Sequence, residues 1–374
     1  MWVSVRSHGI LIFALAALLG LTPALAAAAP APGVRALRIR GDAAFAQVGT
    51  SASPARLTVD PDLQRAAERL LERSGAPEAA IVASDIRTGR ILAWASRGDR
   101  DYVVTPLAPS ASLFKLVTAS ALLERNKVMP ATSVCFTGGE RNITQRELDA
   151  RGAACVPFGD ALGRSINAVF ARLADRHLDA ADLRRKARDL GFAGPIPIDV
   201  PSLPSEAVIP DDDLGLARAA AGFWSGRLTP LGALFAMQTI ANDGERVRLH
   251  LLDRGREPYR VIDGRGLGAR EARLLREMLQ ITTRRGTCAK AFRNPDGSRA
   301  LSGMPVAAKT GTLVGSLPGR KGEARMFSWF ASFAPADRPE IAVAVLLSNG
   351  LKWRTKANLV GRAVLEAWFA RQGR

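Results

Sequence analysis

Strand-forming segments occur near both ends of this 374-residue chain, and a long helical block separates them. Residues 79–96 are typical of a β-hairpin, and residues 306–347 contain three short apolar or alternating runs. Between them, residues 112–280 show apolar spacing near the helical period, and an amphipathic helix follows over residues 358–370. Because strands from both ends can share one sheet, the pattern predicts a mixed α/β (α+β) domain with a helical insertion and helices covering the sheet.

A serine and a lysine stand one helical turn apart at the start of the helical block. The spacing in Ser112-Leu113-Phe114-Lys115 places the hydroxyl and the amine on one helix face. A buried lysine can lose its proton and then accept one from serine, whereas arginine keeps its charge. With 21 serines and eight lysines, about 0.45 such matches arise by chance, so a capping serine beside a surface lysine explains this motif alone more simply.

A second motif, Lys309-Thr310-Gly311-Thr312, lies in the first of the returning strands. A lysine and hydroxyls on a strand edge can bind a carboxylate, and glycine lets a substrate approach the backbone closely. The chance expectation of its Lys-Thr-Gly core is only about 0.03. This motif therefore favours a binding function over an ordinary strand end.

Ser165-Ile166-Asn167 stands between these two motifs, at the start of a predicted helix. Its hydroxyl and amide suit proton relay and the binding of a substrate amide, although both residues are also ordinary helix caps. Only eight of the 52 basic residues are lysine, and yet Lys115 and Lys309 both occupy motif positions. The occurrence of the three motifs in this order favours a functional site far more strongly than any single motif does.

In this order the three motifs resemble the signature of penicillin-binding proteins and serine β-lactamases. The chain is similar to the transpeptidase domain of a penicillin-binding protein over about residues 55–370, including the hairpin around Arg87-Thr88-Gly89-Arg90 and the two last strands. This resemblance implies a central antiparallel sheet of about five strands, with the helical insertion between the hairpin and the late strands. It calls for no metal and no organic cofactor.

The resemblance also implies a role for each motif residue. Ser112 would attack the carbonyl of a D-alanyl-D-alanine stem or a β-lactam, and the backbone N–H groups of Ser112 and Thr312 would form the oxyanion hole. The catalytic group, with Lys115 as the base, comprises Ser112, Lys115, Ser165 and Asn167. The group that binds the terminal carboxylate comprises Lys309, Thr310, Gly311 and Thr312.

Three activities remain open for such a site. The first is a peptidoglycan D,D-transpeptidase or D,D-carboxypeptidase, whose partners are the stem peptide and β-lactams, with cell-wall synthesis proteins as further candidate partners. The second is a class D-like serine β-lactamase, which deacylates through a modified lysine. The third is a penicillin-binding sensor or scaffold that acylates once and stops. Asn167 and the similarity of the flanking sequence favour the first.

The cysteines suggest one disulfide. In an oxidising compartment Cys135 and Cys155 could close a loop within one surface segment, which stabilises a fold by roughly 3 kcal/mol in the chain-entropy model. Cys288 would then be a small buried residue, and no histidine is placed to make it a nucleophile.

The N-terminal sequence predicts export. Arg6, the apolar run of residues 10–21 and the small-residue site Ala24-Leu25-Ala26 are typical of a signal peptide over residues 1–28, with an uncleaved anchor as the minority alternative. Residues 29–54 are then predicted to be a linker with one short strand at most, and residues 55–374 to be the catalytic domain.

The net charge of +17 is spread along the chain, which argues against nucleic-acid binding and allows attraction to anionic wall polymer or lipid. We expect a periplasmic or extracellular protein that contacts the membrane only if the signal stays uncleaved.

Overall fold

The structure is a computed structural model that describes residues 33–149, 152–223, 226–255, 260–317, 323–352 and 355–373. The predicted signal segment, residues 1–28, lies outside these ranges. The strands are β1 (Val34–Arg40), β2 (Ala43–Val48), β3 (Ala55–Leu57), β4 (Glu78–Asp85), β5 (Ile91–Arg97), β6 (Ala108–Pro109), β7 (Ser133–Phe136), β8 (Ala154–Pro157), β9 (Arg227–Leu228), β10 (Glu245–Val247), β11 (Ile262–Arg265), β12 (Ala307–Ser316), β13 (Ala324–Ala334) and β14 (Ile341–Asn349).

Most of the described helices lie in the middle of the chain. They are α1 (Pro61–Ser74), α2 (Lys115–Glu124), α3 (Gln145–Asp149), α4 (Phe158–Arg164), α5 (Asn167–His177), α6 (Ala180–Asp189), α7 (Asp213–Ala221), α8 (Pro230–Ala241), α9 (Ala269–Arg284) and α10 (Ala357–Ala370). Across the described ranges, no helix combines the length and the apolar character needed to cross a membrane.

One antiparallel sheet joins the two ends of the chain. Its strand order is β12-β13-β14-β4-β5, so the N-terminal hairpin lies beside the last strand. At the centre, Val345 of β14 is paired with Ile81 of β4 on one side and with Phe330 of β13 on the other. The predicted fold class, with five antiparallel strands and a helical insertion, is confirmed.

Strand β14 separates two hydrophobic cores. All of its residues are buried, and successive side chains point to opposite faces because the strand period is two. Val343 and Val345 pack in a core with α1 and α10, whereas Ala344 and Leu346 belong to the larger core of α8 and the helical block. A strand covered on both faces is apolar throughout, which explains its uninterrupted run of apolar residues.

Helix α2 lies at the centre of the helical block. Every residue from Lys115 to Leu123 is buried, with α5, α6, α7 and α9 packed around it. A helix that is buried on all sides has little freedom to shift, because protein interiors are close-packed. A short 3₁₀ turn, Ala111–Phe114, leads into α2, so the first motif lies at the entry to the most constrained helix.

The prediction of a linker over residues 29–54 does not hold for residues 34–48. These residues form β1 and β2, which make a small antiparallel sheet with β3. Ala44 and Ala46 of β2 are buried, and alanine gives a weaker strand signal than β-branched residues do. That composition explains why the sequence favoured a linker.

Asp101 attaches β1 to the rest of the domain. Its Oδ2 accepts hydrogen bonds from the Val34 N–H at 2.7 Å and from the Trp94 indole N–H at 2.8 Å, and its Oδ1 accepts from the Val103 N–H at 3.0 Å. Burial raises the pKa of Asp101 to about 6, and the three donors act in the opposite direction by stabilising the carboxylate. At neutral pH the ionised form therefore satisfies three buried N–H groups.

The segment between α2 and α4 contains the predicted cysteine pair. We refer to residues 133–157, which include β7, α3 and β8, as the insertion. This short segment is one part of the longer helical block between the hairpin and the late strands. Cys135 lies directly opposite Cys155 in the β7–β8 ladder, and their sulfurs are bonded. Ile143 and Leu148 from the same segment are buried in the larger core, so the insertion is packed on the domain. Cys288 is free and buried.

We predict that Asp101→Asn lowers the free energy of unfolding by about 1–3 kcal/mol at pH 7.5, because in either orientation the carboxamide NH₂ meets an N–H donor. Urea unfolding measures the loss. Asp42→Asn, in the exposed turn between β1 and β2, is the control. Equal losses in the two variants would contradict the anchoring role of Asp101.

Candidate functional site

Ser112 lies in the 3₁₀ turn at the entry to α2. The turn follows β6, where Pro109 O accepts a hydrogen bond from the Trp329 indole N–H of β13 at 2.8 Å. Ala111 has a φ of 48°, which places the following serine at the bend rather than inside the helix. Ser112 is partly exposed, whereas its neighbours Ala111 and Leu113 are buried.

Gly222, at the end of α7, packs directly against this turn. Its φ is 92°, and a Cβ added there would lie 2.3 Å from the carbonyl oxygen of Ala111. Gly311 of β12 lies on another side of the same turn, against Leu113 and Ala111. The backbone around Ser112 is therefore held by close contacts from a helix end and from the edge of the sheet.

Lys115 is completely buried and surrounded by oxygen atoms. Its Nζ lies 2.9 Å from Ser112 Oγ, 2.7 Å from Asn167 Oδ1 and 2.5 Å from the carbonyl oxygen of Ala221. The Phe170 ring is 5.7 Å from the nitrogen. Burial lowers the pKa of Lys115 well below the ordinary lysine value, and the charge of Lys309 lowers it further.

The three oxygen partners define which way a neutral amine points. Asn167 Oδ1 and the Ala221 carbonyl oxygen can only accept hydrogen bonds, so each accepts one from the two N–H groups of a neutral Lys115. The remaining tetrahedral position, which holds the lone pair, then faces the Ser112 hydroxyl. This geometry allows Lys115 to take the proton of Ser112.

Lys309 is a second fully buried lysine, on the edge strand β12. Its Nζ donates to Ser165 Oγ at 2.9 Å and to the Thr310 carbonyl oxygen at 3.0 Å. Burial lowers its pKa to about 7, so the side chain is readily charged and discharged near neutral pH. An anion bound at this edge would favour the charged form.

The Ser165–Asn167 motif connects the two lysines. Ser165 ends α4 with a left-handed φ of 61°, and Asn167 begins α5. Ser165 contacts Lys309, and Asn167 contacts Lys115. The structure thus places the residues of all three predicted motifs in one site, with Thr310 partly exposed and Thr312 exposed along the same strand.

Two contacts of the site were missed by sequence reasoning. The Thr287 hydroxyl is 2.5 Å from Thr310 Oγ1, and the Ala221 carbonyl accepts from Lys115. The resemblance of Arg285-Gly286-Thr287 to a turn of the penicillin-binding family could have indicated the first. The second is a backbone group that no residue type reveals. In the part of the chain that the structure describes, no cluster of His, Cys, Asp or Glu could hold a metal ion.

Comparison with protein families identifies the domain. Residues 79–366 match the model of the penicillin-binding protein transpeptidase domain. The chain belongs to this family. The match begins in β4 and ends in α10, so it includes every strand of the main sheet and all three motifs.

Two relatives show how far the similarity extends. Peptidoglycan D,D-transpeptidase PbpA of Mycobacterium tuberculosis is 26% identical over 359 residues, covering 83% of this chain and 71% of the relative. Stage V sporulation protein D of Bacillus subtilis is 24% identical over 327 residues, covering 79% of this chain and 49% of the relative. The similarity therefore includes most of this penicillin-binding domain.

Solved structures show the same fold. The ceftriaxone acyl-enzyme of penicillin-binding protein A from M. tuberculosis superposes with a TM-score of 0.66 at 24% identity, covering 84% of this chain and 79% of that one. The transpeptidase domain of Burkholderia pseudomallei penicillin-binding protein 3 gives a TM-score of 0.68 at 20% identity, covering 84% and 95%.

We predict that Gly222→Ala destabilises the domain by at least about 1 kcal/mol more than Gly297→Ala does. Both variants force alanine into a left-handed conformation, which costs about 1–2 kcal/mol, but only the first places a Cβ against the Ala111 carbonyl. Urea unfolding of both proteins measures the difference. Equal losses would show that the turn carrying Ser112 can move away from α7.

Proposed function

We propose that the protein is a penicillin-binding active-site serine D,D-transpeptidase or D,D-carboxypeptidase that forms an acyl-enzyme on Ser112. The observation that carries this proposal is the contact between Ser112 Oγ and a buried Lys115 whose other polar contacts can only accept hydrogen bonds. The substrate is the D-alanyl-D-alanine end of a peptidoglycan stem, and β-lactams occupy the same place.

Acylation begins with proton transfer from Ser112 Oγ to the lone pair of Lys115 Nζ. The oxygen attacks the carbonyl of the penultimate D-alanine, and the negative charge that develops on the carbonyl oxygen is stabilised by the N–H groups of Ser112 and Thr312. The C–N bond then breaks. The proton held by Lys115 passes to the nitrogen of the departing D-alanine, which leaves an ester on Ser112.

Lys309, Thr310 and Thr312 bind the terminal carboxylate of the substrate. Gly311 between them lets β12, an edge strand of the main sheet, lie close to the Ser112 turn, so the carboxylate-binding residues stand beside the nucleophile. A Lys309 with a pKa near 7 becomes fully charged when the carboxylate arrives, because an opposite charge stabilises the ammonium. Ser165 lies against Lys309 and completes the proton network, and Asn167 orients Lys115.

The contacts of Lys115 favour this reading over a class D-like β-lactamase. That enzyme type needs a carboxylated lysine, whose new group carries two oxygens and leaves one N–H on the nitrogen. Here the nitrogen already has the oxygens of Asn167 and Ala221 at 2.7 and 2.5 Å. After carboxylation the nitrogen would have one N–H group left, so only one of these two oxygens could still accept a hydrogen bond from it. A free amine fits the site better.

The proposal extends to the place of action and the domain boundaries. PbpA of M. tuberculosis is named a peptidoglycan D,D-transpeptidase, and peptidoglycan lies outside the cytoplasm. The signal-like residues 1–28 and the bonded cysteine pair both support an exported protein, since disulfides persist in oxidising compartments. The catalytic domain then comprises residues 55–374, and β1 and β2 join it by pairing with β3.

We predict that a labelled penicillin forms a lasting adduct on Ser112, detected by intact mass and peptide mapping over time. Ser112→Ala abolishes the adduct, and Ser120→Ala, at a buried serine of α2, leaves it unchanged. Lys115→Arg slows acylation by about 10²–10⁴-fold because arginine cannot accept the proton.

Other outcomes of the same experiment are equally decisive. Rapid loss of the adduct with hydrolysis of the drug would support a β-lactamase instead. No adduct in the unmodified protein would contradict the proposed function. A pentapeptide ending in D-alanyl-D-alanine, offered with and without an amine acceptor, separates carboxypeptidase from transpeptidase activity.

A further inference from the structure

The insertion lies against the start of α5, where Asn167 is the first helical residue. Asn167 uses the two ends of its amide differently. Its oxygen accepts from Lys115 Nζ at 2.7 Å, and its nitrogen donates to the carbonyl oxygens of Gly139 and Glu140 at 3.0 and 3.1 Å. Both carbonyls belong to the insertion.

These carbonyls decide which way the amide faces. If the amide rotated by 180°, its oxygen would lie against two carbonyl oxygens and its NH₂ would lie against Lys115. The NH₂ would then compete with the Ser112 hydroxyl for the lone pair of a neutral Lys115. The observed orientation leaves that lone pair for Ser112.

Close contacts hold Gly139 at the helix start. Gly139 has a φ of 81°, and a Cβ there would lie 2.7 Å from Ala168 Cβ and 3.0 Å from Ala168 N. Any larger residue would move the backbone away from α5. Gly139 therefore brings the segment near enough for its carbonyl to reach Asn167.

Other parts of the insertion are hydrogen-bonded to helices α5 and α7. Arg172 of α5 donates to the Cys135 carbonyl at 2.7 Å, and Arg218 of α7 donates to the Ile143 carbonyl at 2.8 Å. The Cys135–Cys155 bond closes the base of the loop that contains Gly139 and Glu140. The covalent link thus restricts how far these carbonyls can move from Asn167.

We propose that Gly139 and Glu140 are positioning residues for acylation, that their carbonyls hold the Asn167 amide with its oxygen toward Lys115, and that the Cys135–Cys155 bond keeps them there. This inference rests on the proposed function, because it concerns the base of that reaction. It assigns the insertion a role in the proton-transfer step and none in binding the substrate carboxylate.

Gly139→Ala tests the proposal, with Gly138→Ala as the matched control. Both alanines take a left-handed conformation in the same loop, but the three atoms nearest to a Cβ at position 138 all belong to the flexible side chain of Glu147. Rapid kinetics with a fluorescent penicillin give the dissociation constant of the initial complex and the acylation rate constant separately. We expect Gly139→Ala to lower the acylation rate constant by about 10- to 100-fold with the dissociation constant unchanged, and Gly138→Ala to change neither by more than about twofold.

A double-mutant cycle shows whether the effect passes through Asn167. In an Asn167→Ala background, Gly139→Ala should change the acylation rate constant by less than about twofold, because the amide that it positions is gone. A full additional loss in that background would overturn the proposal and indicate a general packing defect. Equal rates for the Gly138 and Gly139 variants would overturn it as well.

The disulfide is tested separately, which also covers a Gly139 variant that fails to fold. Cys135→Ser combined with Cys155→Ser should slow acylation by at least about fivefold, with unchanged initial binding and a circular dichroism spectrum like that of the unmodified protein. Unchanged acylation would overturn the role of the disulfide. If the unmodified protein itself forms no adduct, the proposed function fails and this inference fails with it. If the unmodified protein is acylated normally, the results for the variants decide this inference alone.

Discussion

The burial of Lys115 is the constraint on which the site depends. A charged ammonium is poorly stabilised away from water, so the folded protein favours the neutral amine. The amine must still satisfy its N–H groups, and it does so with oxygens from α5 and from the end of α7. The Lys115 side chain thus connects α2 to α5 and α7 through hydrogen bonds, and its lone pair faces Ser112. Asn167, Gly222 and the insertion all act by keeping this arrangement in place.

The sheet supplies the second half of the site. Strand β12 is the edge strand that contacts the Ser112 turn. It pairs with β13, and the pairing continues through β14 to β4, so strands from both ends of the chain support it. Lys309 is as deeply buried as Lys115, and its contact with Ser165 connects the strand to the helical block. Burial lowers the pKa of both lysines, and the charge of Lys309 lowers the pKa of Lys115 further.

The sequence predicted the parts that residue types and periodicity encode. The apolar run of β14, the hairpin of β4 and β5 and the spacing of Ser112 and Lys115 all follow from strand or helix periods. The alanine-rich β2 and the seven-residue α4 gave too weak a signal to be recognised. The carbonyls of Ala221, Gly139 and Glu140 could not be predicted, because every residue carries a carbonyl and only the folded chain selects these three.

The most direct test of the account is an NMR titration of the lysine side chains. The chain has only eight lysines, so Cε and Nζ resonances of labelled protein can be assigned with Lys115→Arg and Lys309→Arg variants. We predict that Lys115 titrates well below the ordinary lysine pKa of 10.5 in the folded protein, because burial disfavours its charged form. A Lys115 resonance that titrates near 10.5 would contradict it, because a permanently charged lysine could not take the proton of Ser112.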